Sequence, residues 1–199
     1  MPRVLLAAEG PVDEVVVRAV CVHALGCTVN DVEARKFPAR GIAQVLRLLP
    51  DTVRRAHWGY FDVLVVHGDA DDSPEHEQHS AHVDGCHTCL MIQRIEATLA
   101  TMSPRPNQEA LLWALAVPRQ STDAWLLWAR DDGDPAAVEG LGRHGVKAKV
   151  FGKESYGHVA KAEPLAARLI ERLQAAEVPP PSLARFLRAL EAARAGLGM

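Results

Sequence analysis

The sequence predicts an α/β fold in which a mostly parallel, Rossmann-like sheet carries helices on both faces, followed by a C-terminal helical extension. Apolar strand-like segments alternate with helix-like segments along the chain. The strand-like segments are nearly continuous apolar runs, which are typical of strands buried on both faces of a parallel sheet. The chain has 199 residues, of which 48% are hydrophobic and 24% charged, and this suits a single domain with an appendage.

The individual elements follow from apolar periodicity and from local start and stop signals. In chain order the pattern predicts strand 3–8, helix 11–25, strand 28–37, helix 41–56, strand 61–66, helix 86–102, strand 111–117, a helix through 124–128, and helices from 158 to 195 that are interrupted at 179–181. Pro11 suits the first position of its helix, and Gly26 is a typical stop. Ser121 and Thr122 are candidate caps. The Gly- and Asp-rich segment 131–145 predicts a loop.

Composition and charge exclude several classes of protein. The apolar runs, such as 111–117, are far shorter than the roughly 20 residues of a membrane-spanning helix, and the N-terminal stretch does not resemble a signal peptide. Four cysteines, at 21, 27, 86 and 89, are too few and too unevenly spaced for a secreted disulfide framework. We therefore expect a cytoplasmic protein with an α/β domain over 1–130 and a loop with packed helices over 131–199.

The charges are unevenly distributed along the chain. The net charge of −3 provides no global basic field, so any nucleic-acid binding must be local. Residues 57–92 contain no Lys or Arg, yet they hold seven acidic residues and six of the nine histidines. Acidic and imidazole groups gathered in one segment without basic residues indicate a cation site.

Carboxylates follow two of the predicted strands. Asp69 and Asp71 project to the same side of an extended backbone, and Asp72 is a further ligand at the same turn. If the first and third strands are neighbours, Glu9 faces the same space, and Mg²⁺ is the cation that fits such oxygen ligands. Gly10 leaves room for a phosphate at the following helix N-terminus. An isolated Asp-x-Asp is also common in solvated turns, but its pairing with a strand that ends in Glu-Gly favours a metal site.

The two strand ends carry a family resemblance. The segments Val-Leu-Leu-Ala-Ala-Glu-Gly-Pro-Val-Asp at 4–13 and Val-Leu-Val-Val-His-Gly-Asp-Ala-Asp at 63–71 resemble the Toprim domain of topoisomerases, primases and nucleases. The segment 114–127, which ends in Asp-Ala-Trp-Leu-Leu, and the late segment 181–187 resemble small stand-alone Toprim-like proteins related to the OLD nucleases of prokaryotic defence loci.

The resemblance implies roles for the acidic residues. Glu9 would be a metal ligand or the general acid–base residue, Asp69 and Asp71 would bind Mg²⁺ or Mn²⁺, and Asp123 would complete a second metal position. The family more often has glutamate at the position of Asp123. It also has an aliphatic residue where His67 stands, and this difference alters the metal preference.

Two basic residues are candidates for contacting the substrate. Arg119 precedes the predicted helix at 124–128, where it would bind a substrate phosphate, and Lys153 would stabilise charge in the transition state. The alternative for these residues is a solvated basic rim, so each role depends on where the chain places the side chain.

A second group of residues has the spacing of zinc ligands. Cys86-x-x-Cys89 follows a His-rich segment, from which His79 and His82 would complete a tetrahedral site. The alternative is a pair of cysteines buried on a helix beside solvated histidines, and Toprim proteins do not require zinc.

The sequence thus predicts a Toprim-type, metal-dependent nuclease or phosphoesterase that hydrolyses phosphodiesters of DNA or RNA, and the resemblance implies an effector subunit of a defence system. The alternative is a catalytically inactive binding or regulatory subunit, with or without a structural zinc. No phosphate-loop motif is present in the sequence, so the ATPase partner that the resemblance implies would be another chain. The chain could also form an oligomer. An apolar stripe on the last helix either docks the partner or closes the core; it comprises Leu183, Phe186, Leu187 and Leu190.

Overall fold

A computed structural model confirms the predicted α/β class. It describes residues 1–37, 41–70, 73, 76, 82–105, 110–131, 133–152 and 158–199. The sheet has four strands, all parallel, in the order β2-β1-β3-β4. The strands are β1 Val4–Ala7, β2 Val32–Arg35, β3 Val63–His67 and β4 Leu112–Ala116.

Helices connect the strands and continue beyond the last one. They are α1 Pro11–Leu25, α2 Ile42–Trp58, α3 His87–Leu99, α4 Asp123–Arg130, α5 Pro135–Glu139, α6 Arg143–Phe151, α7 Val159–Gln174 and α8 Pro181–Gly196. The predicted signals at α1 are present, with Pro11 in the first turn and Gly26 left-handed at φ 64°. Within the described ranges, no helix is long and apolar enough to cross a membrane.

The predicted strand 28–37 is wrong in its first part, where a short 3₁₀ turn runs over Val29–Asp31. The Asp31 carboxylate accepts hydrogen bonds from the backbone N–H of Thr28, at 2.8 Å, and from its hydroxyl, at 2.7 Å. These local bonds compete with strand pairing, so the strand begins only at Val32.

The predicted loop over 131–145 is also wrong, because α5 and the start of α6 lie within it. Asp134 caps α5 by accepting the N–H of Ala136 at 3.0 Å, and Pro135 occupies its first turn. Asp and Pro are turn residues, but the same pair is also a favourable helix start, so composition alone did not distinguish the two.

The two faces of the sheet bury separate cores. One core lies between the sheet and α2 and α3, and the other collects residues of α1, α4 and α6–α8. The apolar stripe of α8 belongs to this second core, since Leu183, Phe186 and Leu190 are fully buried and Phe186 stacks on Trp125 with ring centroids 6.1 Å apart. The alternative use of this stripe as a docking surface is therefore wrong. Burial of these residues also joins α8 to the α/β domain.

Candidate metal site and adjacent cleft

The ends of β1 and β3 meet at the centre of the sheet. These strands pair directly, with Ala7 opposite Val66, while β2 and β4 lie outside them. The strand order therefore reverses between β1 and β3, which is where open parallel sheets bind ligands. Glu9 follows β1 and Asp69 follows β3, and the backbone N–H of Asp69 donates to Glu9 Oε2 at 3.1 Å. Both carboxylates are buried.

The structure adds His67, the last residue of β3, to these two carboxylates. Its Nδ1 accepts the backbone N–H of Glu9 at 3.4 Å, so Nε2 is the nitrogen that faces the acids. Nε2 lies 3.3 Å from Asp69 Oδ1 and 3.9 Å from Asp13 Oδ1. One ligand atom from each of Glu9, His67 and Asp69 lies within 4.8 Å of the others. We call these three residues the acidic cluster.

The electrostatics of the acidic cluster favour a bound positive charge. Burial by itself lowers the pKa of His67, but the negative charges of Asp13, Asp69 and Glu9 outweigh burial and raise it. Burial raises the pKa of Asp69, and Asp13 and Glu9 act in the same direction against the opposing effect of His67. The site thus holds more acid than one imidazole neutralises, and either a proton or a divalent cation relieves the repulsion.

Two neighbouring helix starts support the acidic cluster. Asp13, in the first turn of α1, accepts a hydrogen bond from the Thr122 hydroxyl at the start of α4. Asp123, the predicted second-metal ligand, is the next residue and is buried, but it lies outside the acidic cluster. The ring Nδ1 of His87, on α3, donates to the carbonyl oxygen of Asp69 at 2.9 Å and so holds the backbone at the end of β3.

Several predicted residues lie outside the described part of the chain. They are Asp71, Asp72, His79 and Lys153. Gly10 is described and caps α1 in an extended conformation; a Cβ at this position would lie 3.0 Å from Asp13 Oδ2. A side chain here would therefore crowd the Asp13 carboxylate, which is a steric reason for glycine at this position; the expected phosphate contact stays a prediction.

A cleft of about 770 Å³ lies between α3, β4 and α8, and none of Glu9, His67 and Asp69 lines it. Ala70, which follows Asp69, lies on its wall, and Trp113 and Leu115 of β4 supply an apolar surface. Three arginines also line it: Arg119, Arg185 and Arg188. Arginines beside an apolar surface suit an anionic ligand with an apolar part, and Ala70 connects this cleft to the end of β3 along the chain.

The opposite wall of the cleft carries a buried acid, Glu139. Burial raises the pKa of Glu139, while hydrogen bonds from the hydroxyl and backbone N–H of Ser182 and the charge of Arg119 oppose this effect. These bonds link the end of α5 to the first turn of α8 and fix the position of the wall.

A second cluster of potential metal ligands stands at the start of α3. His76 Nδ1 lies 3.4 Å from Cys89 Sγ and 3.9 Å from Cys86 Sγ, and these three ligand atoms form one group within 4.8 Å. His82, one of the two histidines predicted as ligands, is exposed and stands outside this group, and the other, His79, lies outside the described residues. His76 takes its place.

The sequence analysis connects His67 with metal preference but does not identify it as a ligand, and it gives Asp13 no role in the site. The alternation that pairs Asp69 with Asp71 also places His67 on the same side as Asp69. No local signal shows that Asp13, in the first turn of α1, lies near the end of β3.

Comparison with known proteins adds no relative. No family model, curated protein or solved structure matches this chain. The fold and the geometry of the site therefore carry the functional inference.

Proposed function

We propose that this protein is a metal-dependent hydrolase of nucleic-acid phosphodiesters, of Toprim type. The observation that carries the proposal is the convergence of Glu9, His67 and Asp69 where the parallel strands β1 and β3 meet and the strand order reverses. The arginine-lined cleft that begins at Ala70 supports a substrate with phosphate groups.

The three potential ligands of the acidic cluster suit a divalent cation that accepts nitrogen as well as oxygen. Glu9 and Asp69 offer carboxylate oxygens, which suit Mg²⁺ and Mn²⁺. His67 Nε2 would add an imidazole nitrogen, which Mg²⁺ accepts poorly, once its proton has moved to Nδ1 and Nδ1 has given up the hydrogen bond from the Glu9 N–H. We therefore propose Mn²⁺ as the better activator and Mg²⁺ as the weaker one. The ion, when bound, neutralises charge on the phosphate and lowers the pKa of water in the site.

The protein's own residues would bind and orient the phosphodiester. Glu9 and Asp69 would hold the ion, and Glu9 would also accept a proton from the attacking water. Gly10 and the N-terminus of α1 lie beside the acidic cluster, where backbone N–H groups favour a phosphate. Arg119, with the other two arginines of the cleft, would bind neighbouring phosphates of the same strand.

Metal-dependent cleavage by purified protein is the direct test. Plasmid DNA, single-stranded DNA and RNA are incubated with protein that was treated with a chelator, and then with Mn²⁺, Mg²⁺ or no metal. We expect cleavage with Mn²⁺ that is lost in Glu9→Gln. The matched control is Glu33→Gln, which removes an exposed, ion-paired acid of β2. Equal cleavage by wild type and Glu9→Gln would refute the proposal.

A second function, a catalytically inactive binding or regulatory subunit, is favoured by one observation. Because His67 Nδ1 accepts the Glu9 N–H, the ring proton lies on Nε2, which faces Asp69 and Asp13 and offsets their charge without any metal. Calorimetric titration with Mn²⁺ discriminates the two functions. Binding that is lost in Glu9→Gln supports the hydrolase, whereas no binding at any pH supports the inactive subunit.

The cellular setting is a further part of the proposal. We propose a cytoplasmic effector subunit of a defence system that acts with a separate ATPase chain, because the resemblance implies such a partner. Sedimentation measurements would show whether the chain forms an oligomer. Co-purification from the native host, followed by an ATPase assay of the associated chain, tests the partnership.

A further inference from the structure

Three side chains beyond the acidic cluster form a group with a different chemistry. Cys86 and Cys89 lie at the first turn of α3 and are buried, and His76 reaches them from the segment that follows β3. None of the three belongs to the acidic cluster, and the proposed hydrolysis does not use them.

The distances match those of ligands that share one tetrahedral ion. With zinc–sulfur and zinc–nitrogen bonds of about 2.3 Å and 2.05 Å, a tetrahedral angle places sulfur and nitrogen about 3.6 Å apart. His76 Nδ1 lies 3.4 Å and 3.9 Å from the two sulfurs, on either side of that value. Van der Waals packing alone does not require a ring nitrogen to point at both sulfurs.

The start of the helix also suits thiolate ligands. Cys86 is the N-cap residue of α3, and its sulfur accepts the backbone N–H of Cys89 at 3.5 Å. Burial raises the pKa of the Cys86 thiol, and the N–H donor acts in the opposite direction. The positive end of the helix dipole also favours a negatively charged sulfur. Thiolate and imidazole together select Zn²⁺ over Mg²⁺, Ca²⁺ or Mn²⁺.

We propose that His76, Cys86 and Cys89 bind one zinc ion, which would hold His76 against the first turn of α3. These residues supply three ligands, and a water molecule would complete the tetrahedron. The same turn of α3 carries His87, which holds the carbonyl of Asp69. Zinc bound there would therefore also steady the turn of α3 from which His87 contacts the end of β3. This inference does not depend on catalysis.

Metal content and spectroscopy of the full chain test the proposal. Protein is purified without added metal or chelator, and zinc is measured per chain in wild type, Cys89→Ser, His76→Ala and His82→Ala. We expect one zinc in wild type and in His82→Ala, which is the matched histidine control, and none in Cys89→Ser. Cobalt substitution should give thiolate-to-cobalt charge-transfer absorption in wild type that weakens in His76→Ala and disappears in Cys89→Ser.

Each contrary result overturns the proposal. Wild-type protein without zinc, with both cysteines reactive towards a thiol reagent or joined in a disulfide, would show that no zinc site exists. Zinc that persists in Cys89→Ser but is lost in Glu9→Gln would place the metal in the acidic cluster. Loss in His82→Ala with retention in His76→Ala would overturn the ligand assignment. Nuclease activity enters none of these measurements, so failure here is distinct from failure of the hydrolase proposal.

Discussion

Asp69→Asn removes one buried charge from the acidic cluster while nearly preserving the shape of the side chain. Burial, together with Asp13 and Glu9, raises the pKa of Asp69, and the acids raise that of His67 despite its burial. A group whose pKa is raised on folding contributes stability that is lost as the pH rises through that value. We therefore expect the metal-free wild type to lose stability from about pH 4, the ordinary pKa of aspartate, to pH 8. Metal-free Asp69→Asn should lose less, so that its Tm at pH 8 is higher.

Bound Mn²⁺ should reverse the order of the two Tm values, so that the wild type has the higher one, because the ion requires the charged carboxylate of Asp69. At a free Mn²⁺ concentration 100-fold above Kd the stabilisation is about 2.7 kcal/mol. Each kcal/mol moves the Tm of a chain of this length by roughly 2–4 °C, so the wild-type Tm should rise by roughly 5–11 °C. If loss of the ligand weakens binding about 100-fold, the same Mn²⁺ concentration stabilises Asp69→Asn by only about 0.4 kcal/mol, roughly 1 °C.

Differential scanning calorimetry at pH 6 and pH 8, with and without Mn²⁺, measures both effects. Asp51→Asn is the matched control, because Asp51 is an exposed acid on α2 paired with Arg54. The Tm of Asp51→Asn should rise with Mn²⁺ as much as the wild-type Tm does. An equal Mn²⁺-induced rise in Asp69→Asn and wild type would refute the metal site. A lower Tm of metal-free Asp69→Asn at pH 8 would refute the electrostatic reasoning.

Three other substitutions test separate parts of the structure. In His67→Leu the ratio of Mn²⁺- to Mg²⁺-supported cleavage should fall several-fold, because the imidazole nitrogen is lost; an unchanged ratio would remove His67 from the ligands. Arg185→Ala should raise KM roughly tenfold through a lost phosphate contact, whereas Arg194→Ala, at the exposed end of the same helix, should not; equal KM values would argue against the cleft. In urea titrations Phe186→Ala should cost about 3–5 kcal/mol, and a loss under about 1 kcal/mol would contradict the burial of α8 in the core.

The acidic cluster was only partly predictable from the sequence. Glu9 and Asp69 stood out because each follows an apolar run, and acids at the ends of parallel strands share one edge of the sheet. His67 stands where the family has an aliphatic residue, and a histidine that ends an apolar run also suits a buried core position. The sequence therefore did not identify it as a ligand. Its role depends on Asp13, which comes from a different element and lies 3.9 Å away.

The histidine of the proposed zinc site could not be identified from the sequence either. The spacing of Cys86 and Cys89 indicated a metal ligand pair, but the histidines at 76, 79 and 82 follow one another at equal intervals. Spacing could not rank them, because all three precede the pair at similar separations. The structure brings His76 to the two sulfurs.

By itself, the sequence determined the alternation of strands and helices, the parallel character of the sheet and the acids at two strand ends. These features depend on local periodicity and on residues adjacent in the chain. Only the tertiary structure decided that β1 lies beside β3 and that α8 closes the core. The pairing of Val4 with Val63 joins residues 59 positions apart, and the stacking of Trp125 on Phe186 joins two separate helices. Such contacts arise from the burial of complementary apolar faces, which local periodicity reveals for each segment but does not assign to a partner.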